Sequence, residues 1–370
     1  MFLGIDASTQ EEVDAKSPHY YYKGKEVDPW AFMREHNDVK SMRLRLWVDP
    51  YDEKGKPYGG GTVDFPTWLK LAKRAAKDGY SILLDIHYSD FWCDPGKQFI
   101  PKSWRGLNIQ ELADKVYDYT KSILLSIAKE GIEVPYIQIG NEITNGMLWP
   151  LGKLGERGAD GLRSNYDNLA LFLRSGVKAA REVAPDSKLI IHLEKSYDVP
   201  LHEEYYREII KRGVDFDIIG LSYYPYWHGT FPMFFSNVDN LKEKFHKPVW
   251  IVETGYGFTM EPFLMNGNYG DNLISEKFFE QENVFHPYPL TKEGQKDFIA
   301  NLLKLSAEHE VGAIYYWEPF WLPLPGLCWA TEEGEAFTGE TGKPTHNEWA
   351  NQCLFDYEGN ATPGLDAYKL

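Results

Sequence analysis

The chain has 370 residues, long for one average domain but ordinary for an α/β barrel, and a 43% hydrophobic share is enough for a full core. A formal net charge of −16 argues against nucleic acid, anionic membrane surfaces and polyanionic ligands, all of which want a basic patch, and suits a neutral substrate. Aromatic residues make up 15% of the sequence, including 12 Trp and 24 Tyr. That excess reads either as filler for a large core or as stacking platforms for sugars, whose C–H faces suit aromatic rings.

Along the chain, short apolar runs rich in β-branched residues alternate with amphipathic helical stretches. The strand candidates are Phe2–Asp6, Ser41–Val48, Ser81–Ile86, Tyr136–Gly140, Lys188–His192, Asp217–Ser222, Pro248–Val252 and Gly312–Trp317. Helical patterns cover 65–79, 110–131, 168–184 and 292–310; the first opens on Asp64 as an N-cap and closes at Gly79. Repeats, low-complexity tracts and Pro/Ser/Gly-rich linkers are missing, so the expectation is one domain over residues 1–370. Eight strands alternating with helices predict a (β/α)8 TIM barrel. The rival, a doubly wound sheet, wants a glycine-rich phosphate turn after its first strand, and "GIDASTQEEV" offers none.

A barrel enzyme collects its chemistry at the C-terminal ends of the strands. Strand two, "MRLRLWVDP", puts Arg43, Arg45 and Trp47 on one face by its period of two. Strand three ends in His87, strand four in Asn141 and Glu142, strand five in His192 and Glu194, and strand seven in Glu253. Taken singly, such a Glu is more often a solvated loop carboxylate, and such a His a satisfied structural residue. Several at the ends of separate strands suggest acid/base work on a glycosidic bond, with one carboxyl protonated to donate and the other ionised to attack. Asn141 is expected to hold a sugar hydroxyl, and Arg45 to orient the nucleophile and favour its ionised form. Asp49, Asp85, Asp90, Glu194 and Glu318 are rival carboxylates; Asp85, read as facing opposite His87, is expected to be structural.

The longer strings "RLRLWVDPYD" (43–52), "LLDIHYSDFWCDPGKQ" (83–98), "QIGNEITNGMLWPLG" (138–152), "GLSYYPYWHG" (220–229), "ETGYGF" (253–258) and "YYWEPFW" (315–321) resemble glycoside hydrolase family 53, the endo-β-1,4-galactanases. The likeness runs from "GIDAS" to "LFDYEGNATPGLDAYK", nearly the whole chain. It implies a retaining enzyme with catalytic groups after strands four and seven: Glu142 as general acid/base and Glu253 as nucleophile. It further implies that Arg45, His87, Asn141, Tyr224 (with Tyr223 as an alternative) and Trp317 line the subsite where the bond is cut, and that Trp92 is a substrate platform. The implied partners are galactan and galacto-oligosaccharides. A β-mannanase or cellulase of the same clan, or a glycan-binding barrel without activity, are the alternatives.

Family relatives often carry calcium after strand seven. Here Asn266, Asn268 and Asp271 offer oxygens without the usual Asp-rich spacing, so no metal and no required cofactor is expected. The loop is long and aromatic instead (278–290). Cys93, Cys328 and Cys353 make no CxxC pair; Cys328 and Cys353 are read as able to pair in an oxidising compartment, leaving Cys93 free. No run approaches the ~18 apolar residues of a membrane span, and "MFLGIDAST" lacks a basic n-region. Because galactan cannot cross membranes, the resemblance implies a secreted, periplasmic or surface enzyme, and a monomer is expected.

Overall fold

Eight parallel strands close into a barrel in chain order: β1 (Phe2–Asp6), β2 (Ser41–Leu46), β3 (Ser81–Ile86), β4 (Tyr136–Ile139), β5 (Lys188–Leu193), β6 (Ile218–Tyr223), β7 (Val249–Thr254) and β8 (Ala313–Trp317). The last strand returns beside the first, Phe2 opposite Ala313 and Asp6 opposite Trp317, so no sheet edge stays open. The structure, a computed structural model, describes residues 1–370 apart from 160, 266, 281–283 and 340–345. The fold is a (β/α)8 TIM barrel. The strands stand within one residue of the bounds the sequence pattern predicts, except that β2 stops at Leu46 rather than Val48 and β7 runs on to Thr254 rather than Val252.

A helix follows each strand: α1 (Pro29–His36), α2 (Phe65–Lys77), α3 (Ile109–Lys129), α4 (Tyr166–Val183), α5 (Val199–Lys211), α6 (Phe231–Phe245), α7 (Lys292–Glu308) and the short α8 (Pro363–Ala367). Six of these eight starts carry a side-chain cap, those of α4 and α8 being the exceptions. Asp64, Asp198, Thr230 and Thr291 each accept a first-turn amide, and Asn108 with Glu111 forms a reciprocal capping box at α3. Leu112, Val116, Ile123 and Ile127 recur at helical spacing on the buried face of α3.

Strand residues alternate between the shell under the helices and the barrel interior. At the interior floor Leu83, Ile190, Ile218, Trp250, Ala313 and Tyr315 form an apolar cluster of their own. Trp250 and Tyr315 are large for this space, and glycines give way to them. A Cβ on Gly4 would sit 2.4 Å from the Tyr315 ring, and one on Gly312 would sit 2.2 Å from the Trp250 indole nitrogen. Above the floor the interior turns polar, with buried Asp6, Arg43, Arg45, Asp85, Gln138, His192 and Ser222.

One irregularity serves the mouth. Leu221 of β6 opposes Ile251, but Ser222 opposes Glu253, so β7 carries a β-bulge at Val252. Val252 belongs to the floor and its sequence neighbour Glu253 lines the mouth. Strict alternation would turn one of them outward.

Two sequence readings are corrected here. Asp85 does not face away from His87: both point inward, as residues two apart on a strand do, and His87 Nε2 lies 3.0 Å from Asp85 Oδ2. Cys328 and Cys353 are not paired, and all three cysteines are free. Cys353 is buried with its thiol on the carbonyls of Trp321 (3.2 Å) and Glu318 (3.5 Å). Among the described residues, no helix is long and apolar enough to cross a membrane.

The close contact under Gly4 gives a test of the floor. Gly4→Ala should cost about 1–3 kcal/mol by overpacking against Tyr315. An unchanged midpoint in urea denaturation would show that the floor yields without strain.

Candidate active site

A cleft of about 430 Å³ opens at the C-terminal ends of the strands. Glu142, Glu253, Asn141, Arg45, His87, Trp92, Tyr224 and Trp317 all reach it, so the structure brings every nominated residue to one place. Arg43, Glu194, Trp227, Trp329 and Trp349 join them.

The chain leaves β4 through a sharp turn in which Gly140 (φ 83°) and Glu142 (φ 47°) both take left-handed backbone. For a glutamate that conformation costs about 1–2 kcal/mol, and such strain is typical of functional sites. The turn aims Glu142 across the mouth, where Ser222 Oγ donates to its Oε1 at 2.6 Å. Among the described residues no cation pairs with Glu142. Desolvation, helped by the nearby Glu253 and Glu194 carboxyls, raises its pKa well above the usual carboxylate range.

Glu253 lies in a different field. Its Oε1 is 2.9 Å from Arg43 Nη2, and Tyr224 OH donates to its Oε2 at 3.3 Å. Burial pushes its pKa up to about 7, while the Arg43 charge and hydrogen bond pull it down and Asp6 and Asp85 push it up. The same guanidinium donates to Asp6 Oδ2 (2.7 Å), Asp85 Oδ2 (2.9 Å), Asn141 Oδ1 (2.8 Å) and Gln138 Oε1 (3.3 Å). Arg43, not Arg45, is therefore the cation on Glu253. Arg45 sits one inward step further along β2 and is held by Glu318 Oε1 (2.5 Å) and the Gly60 carbonyl (2.6 Å). The Arg-x-Arg spacing shows that both face inward but not which one reaches Glu253.

Asn141 is fixed from both ends: its Nδ2 donates to the Cys93 carbonyl at 2.9 Å, and its Oδ1 accepts from Arg43 at 2.8 Å. The neutral His192 donates from Nε2 to Ser222 Oγ at 2.8 Å and Ser222 donates to Glu142, so a buried chain runs from His192 through Ser222 to Glu142. The Trp47 indole (3.1 Å) and the Cys93 amide (3.3 Å) both donate to His87 Nδ1. The ring proton is thereby assigned to Nε2, facing Asp85. Burial lowers the pKa of His87, and that of His192 well below the usual range, so both rings are neutral. Tyr224, rather than Tyr223, meets Glu253; Tyr223 packs outward against Phe231 and Phe234.

Trp92 lines the cleft as a packed wall. It is only 5% exposed, with Trp329 stacked on it at 4.5 Å, the Arg45 guanidinium 4.4 Å from its ring centre and its indole N–H donated to the Trp329 carbonyl. The open aromatic face is Trp227, 40% exposed and missed by sequence reasoning although "YYPYWHG" contains it. Of the rival carboxylates, Glu318 is engaged by Arg45 and Thr9, and Asp90 by Lys102 and the Asp49 amide. Asp49 is not among the cleft residues, and Glu194 is. Of the nominated calcium ligands, Asn266 lies outside the described residues, and the Asp271 carbonyl meets His346 Nε2 at 2.9 Å. Among the described residues no group of three or more His, Cys, Asp and Glu suits a metal ion.

A (β/α)8 barrel whose mouth holds two carboxyls in opposed electrostatic settings, walled by tryptophans, defines a barrel glycoside hydrolase. The chain matches the profile of glycosyl hydrolase family 53 over residues 2–368 and belongs to that family. It superposes on the Ignisphaera aggregans GH53 catalytic domain with a TM-score of 0.86 and 35% identity, covering 100% of this chain and 95% of that one. It is 33% identical over 301 residues to the arabinogalactan endo-beta-1,4-galactanase A of Aspergillus niger (79% of this chain, 77% of that one). It is 28% identical over 386 residues to the endo-beta-1,4-galactanase of Bacillus subtilis strain 168 (99% of this chain, 85% of that one).

The two kinds of tryptophan should separate on substitution. Trp92→Ala empties a buried ring site and should cost about 3–5 kcal/mol in denaturant unfolding. Trp227→Ala should leave the midpoint within about 0.5 kcal/mol of wild type. Equal effects on stability would refute the distinction between wall and open face.

Proposed function

We propose that this chain is a retaining endo-β-1,4-galactanase, one catalytic domain acting on the β-1,4-galactan side chains of type I pectic arabinogalactan. Family membership and the galactanase relatives support the substrate. The observation that carries the chemistry is the contrast between Glu253, on Arg43, and Glu142, which has a hydroxyl and two acidic neighbours.

In the first step the ionised Glu253 attacks the anomeric carbon of the bound galactosyl unit as Glu142 gives its proton to the glycosidic oxygen. The C–O bond breaks, the shortened chain leaves as an alcohol, and a covalent galactosyl-enzyme forms. Glu142, now ionised, takes a proton from a water that attacks the same carbon and frees Glu253. Two inversions give net retention. Arg43 and Tyr224 orient Glu253 throughout, and Ser222 orients Glu142. A polymer of this size does not cross membranes, so the enzyme works outside the cytoplasm, as a secreted, periplasmic or surface protein. Every group named comes from one chain, which suits a working monomer.

The first test is release of reducing ends from linear β-1,4-galactan, with carboxymethylcellulose and mannan left nearly intact; comparable turnover of mannan would sink the substrate. Glu253→Ala should lose nearly all activity and recover with azide as an inverted galactosyl azide. Glu142→Ala should lose about 10²–10⁴-fold on galactan, less on aryl galactosides with good leaving groups, and be rescued by azide with retention. Inverted product from the wild type would overturn the nucleophile.

The pH profile follows from the same contrast. The reaction needs Glu253 ionised and Glu142 protonated, so kcat/KM should be bell-shaped. It should fall on the acid side as Glu253 gains a proton, in the region of its raised pKa of about 7, and on the alkaline side as Glu142 loses one. Glu142→Gln, assayed on an activated aryl galactobioside, should lose the alkaline limb and keep the acid one. An alkaline limb that persists in that variant would assign it to another group.

A further inference from the structure

One carboxyl in the cleft, that of Glu194, is given no contact with substrate above; burial pushes its pKa up to about 7, against the Lys195 charge and hydrogen bonds from the Lys195 amide and Thr144. Glu194 follows the last residue of β5 and is only 4% exposed, yet it lines the cleft. Its Oε1 is buried without a hydrogen-bond partner, and its Oε2 is 4.0 Å from His228 Nε2, too far for a hydrogen bond. The other carboxyls buried at the mouth are engaged: Asp6 and Asp85 by Arg43, Asp90 by Lys102, Glu318 by Arg45 and Thr9. His228 does not complete Glu194's shell. Its Nδ1 accepts the Tyr224 amide at 3.0 Å, and burial lowers its pKa to about 3, so it is a neutral ring with its proton on Nε2, turned towards the carboxylate.

A buried carboxyl oxygen with no partner is costly, and in a cleft the missing donor is naturally a ligand's. We propose that Glu194 binds the substrate on the leaving-group side, accepting a hydrogen bond from a hydroxyl of the sugar that departs. The side follows from topology. β5 pairs with β4, which delivers Glu142, and is separated from β7 by β6. Glu194 is among the leading charges acting on Glu142, whereas the leading charges on Glu253 are Arg43, Asp6 and Asp85. The sugar under attack sits on Glu253, and the bond to be cut passes Glu142. The next unit therefore extends past Glu142, on the flank where Glu194 stands. A ligand with several hydroxyls suits the place: neutral, rich in donors, and able to reach both the carboxylate and the nearby His228.

This inference rests on the galactanase reading, and the test separates the two. Kinetics are compared on galactotetraose, which fills the leaving-group side with sugar, and on an activated aryl β-galactobioside, which does not. Glu194→Gln should lower kcat/KM on the tetraose by about ten- to a hundredfold, the scale of one hydrogen bond to a charged group, with the aryl substrate changed less than about twofold. Glu194→Asp, which keeps the charge on a shorter arm, should recover part of the loss. Binding of galactotetraose to Glu253→Ala protein, measured by calorimetry, should weaken by about tenfold when Glu194→Gln is added. Equal loss on both substrates would place Glu194 at the reacting centre, and no loss in kinetics or binding would make it wall; either result overturns the proposal. If the wild type instead prefers another β-linked polymer, the galactanase reading fails by itself. The same comparison, run on an oligosaccharide of that polymer and its aryl glycoside, then decides the role of Glu194.

Discussion

Arg43 carries a fixed positive charge at 1% exposure, and the mouth of the barrel is arranged around it. From β2 its planar fork reaches Asp6 on β1, Asp85 on β3, Gln138 on β4 and Glu253 on β7, so one side chain ties four other strands to its own. A lysine offers one compact head and no fork, and does not substitute for that pattern. Desolvating a guanidinium is expensive, and removing one partner from such a buried set typically costs about 3–5 kcal/mol because a charge is left without compensation. The arrangement therefore holds Glu253 in place through the stability of the barrel itself. The bulge at Val252 is what makes this possible, since it puts Glu253 within reach of Arg43 without removing Val252 from the apolar floor.

The loops that carry Glu142 and the aromatic wall depend on the same layer. Asn141 accepts from Arg43 and donates to the Cys93 carbonyl, which joins the loop after β4 to the loop after β3. Gln98 reinforces the join: its side chain donates to the Asn141 carbonyl at 2.8 Å, and its backbone carbonyl accepts the Trp149 amide at 2.7 Å. Asn145 adds a bond to the Pro95 carbonyl at 3.0 Å. Much of the string "HYSDFWCDPGKQ" is thus spent on holding two loops together, with His87 and Trp92 presented to the cleft as a result. Strain at Glu142 persists because this framework fixes the backbone on both sides of it.

What was legible in the sequence follows the range of the interactions involved. Strands declare themselves by local alternation and helices by caps such as Asp64, so the barrel could be read residue by residue. Glu142 and Glu253 could be read because a strand end is itself a local signal. The choice between Arg43 and Arg45 could not, because both share a face and only depth in the barrel separates them. Nor could the fate of Trp92, whose covering partner Trp329 lies 237 residues further on. Asp85 was misjudged for a simpler reason: two residues apart on a strand means the same face, and its contact with His87 was available to that rule. Trp227 lacked any local mark, since an exposed and a buried tryptophan look alike until their neighbours are placed.

Charge balance at the mouth explains how two glutamates within one cleft behave differently. Asp6, Asp85, Glu142, Glu194, Glu253 and Glu318 converge there, and among the described residues Arg43 and Arg45 are the cations that pair with Asp6, Asp85, Glu253 and Glu318. His87, His192 and His228 are held neutral by burial and add no positive charge. Both guanidiniums are committed elsewhere, Arg43 to Asp6, Asp85 and Glu253 and Arg45 to Glu318. Glu142 is left with a hydroxyl and two acidic neighbours, and retains its proton for that reason. A cation on Glu142 would favour its ionised form and lower its pKa. The placement of the two guanidiniums thus separates the proton affinities of Glu142 and Glu253: Arg43 lies on Glu253, and neither lies on Glu142.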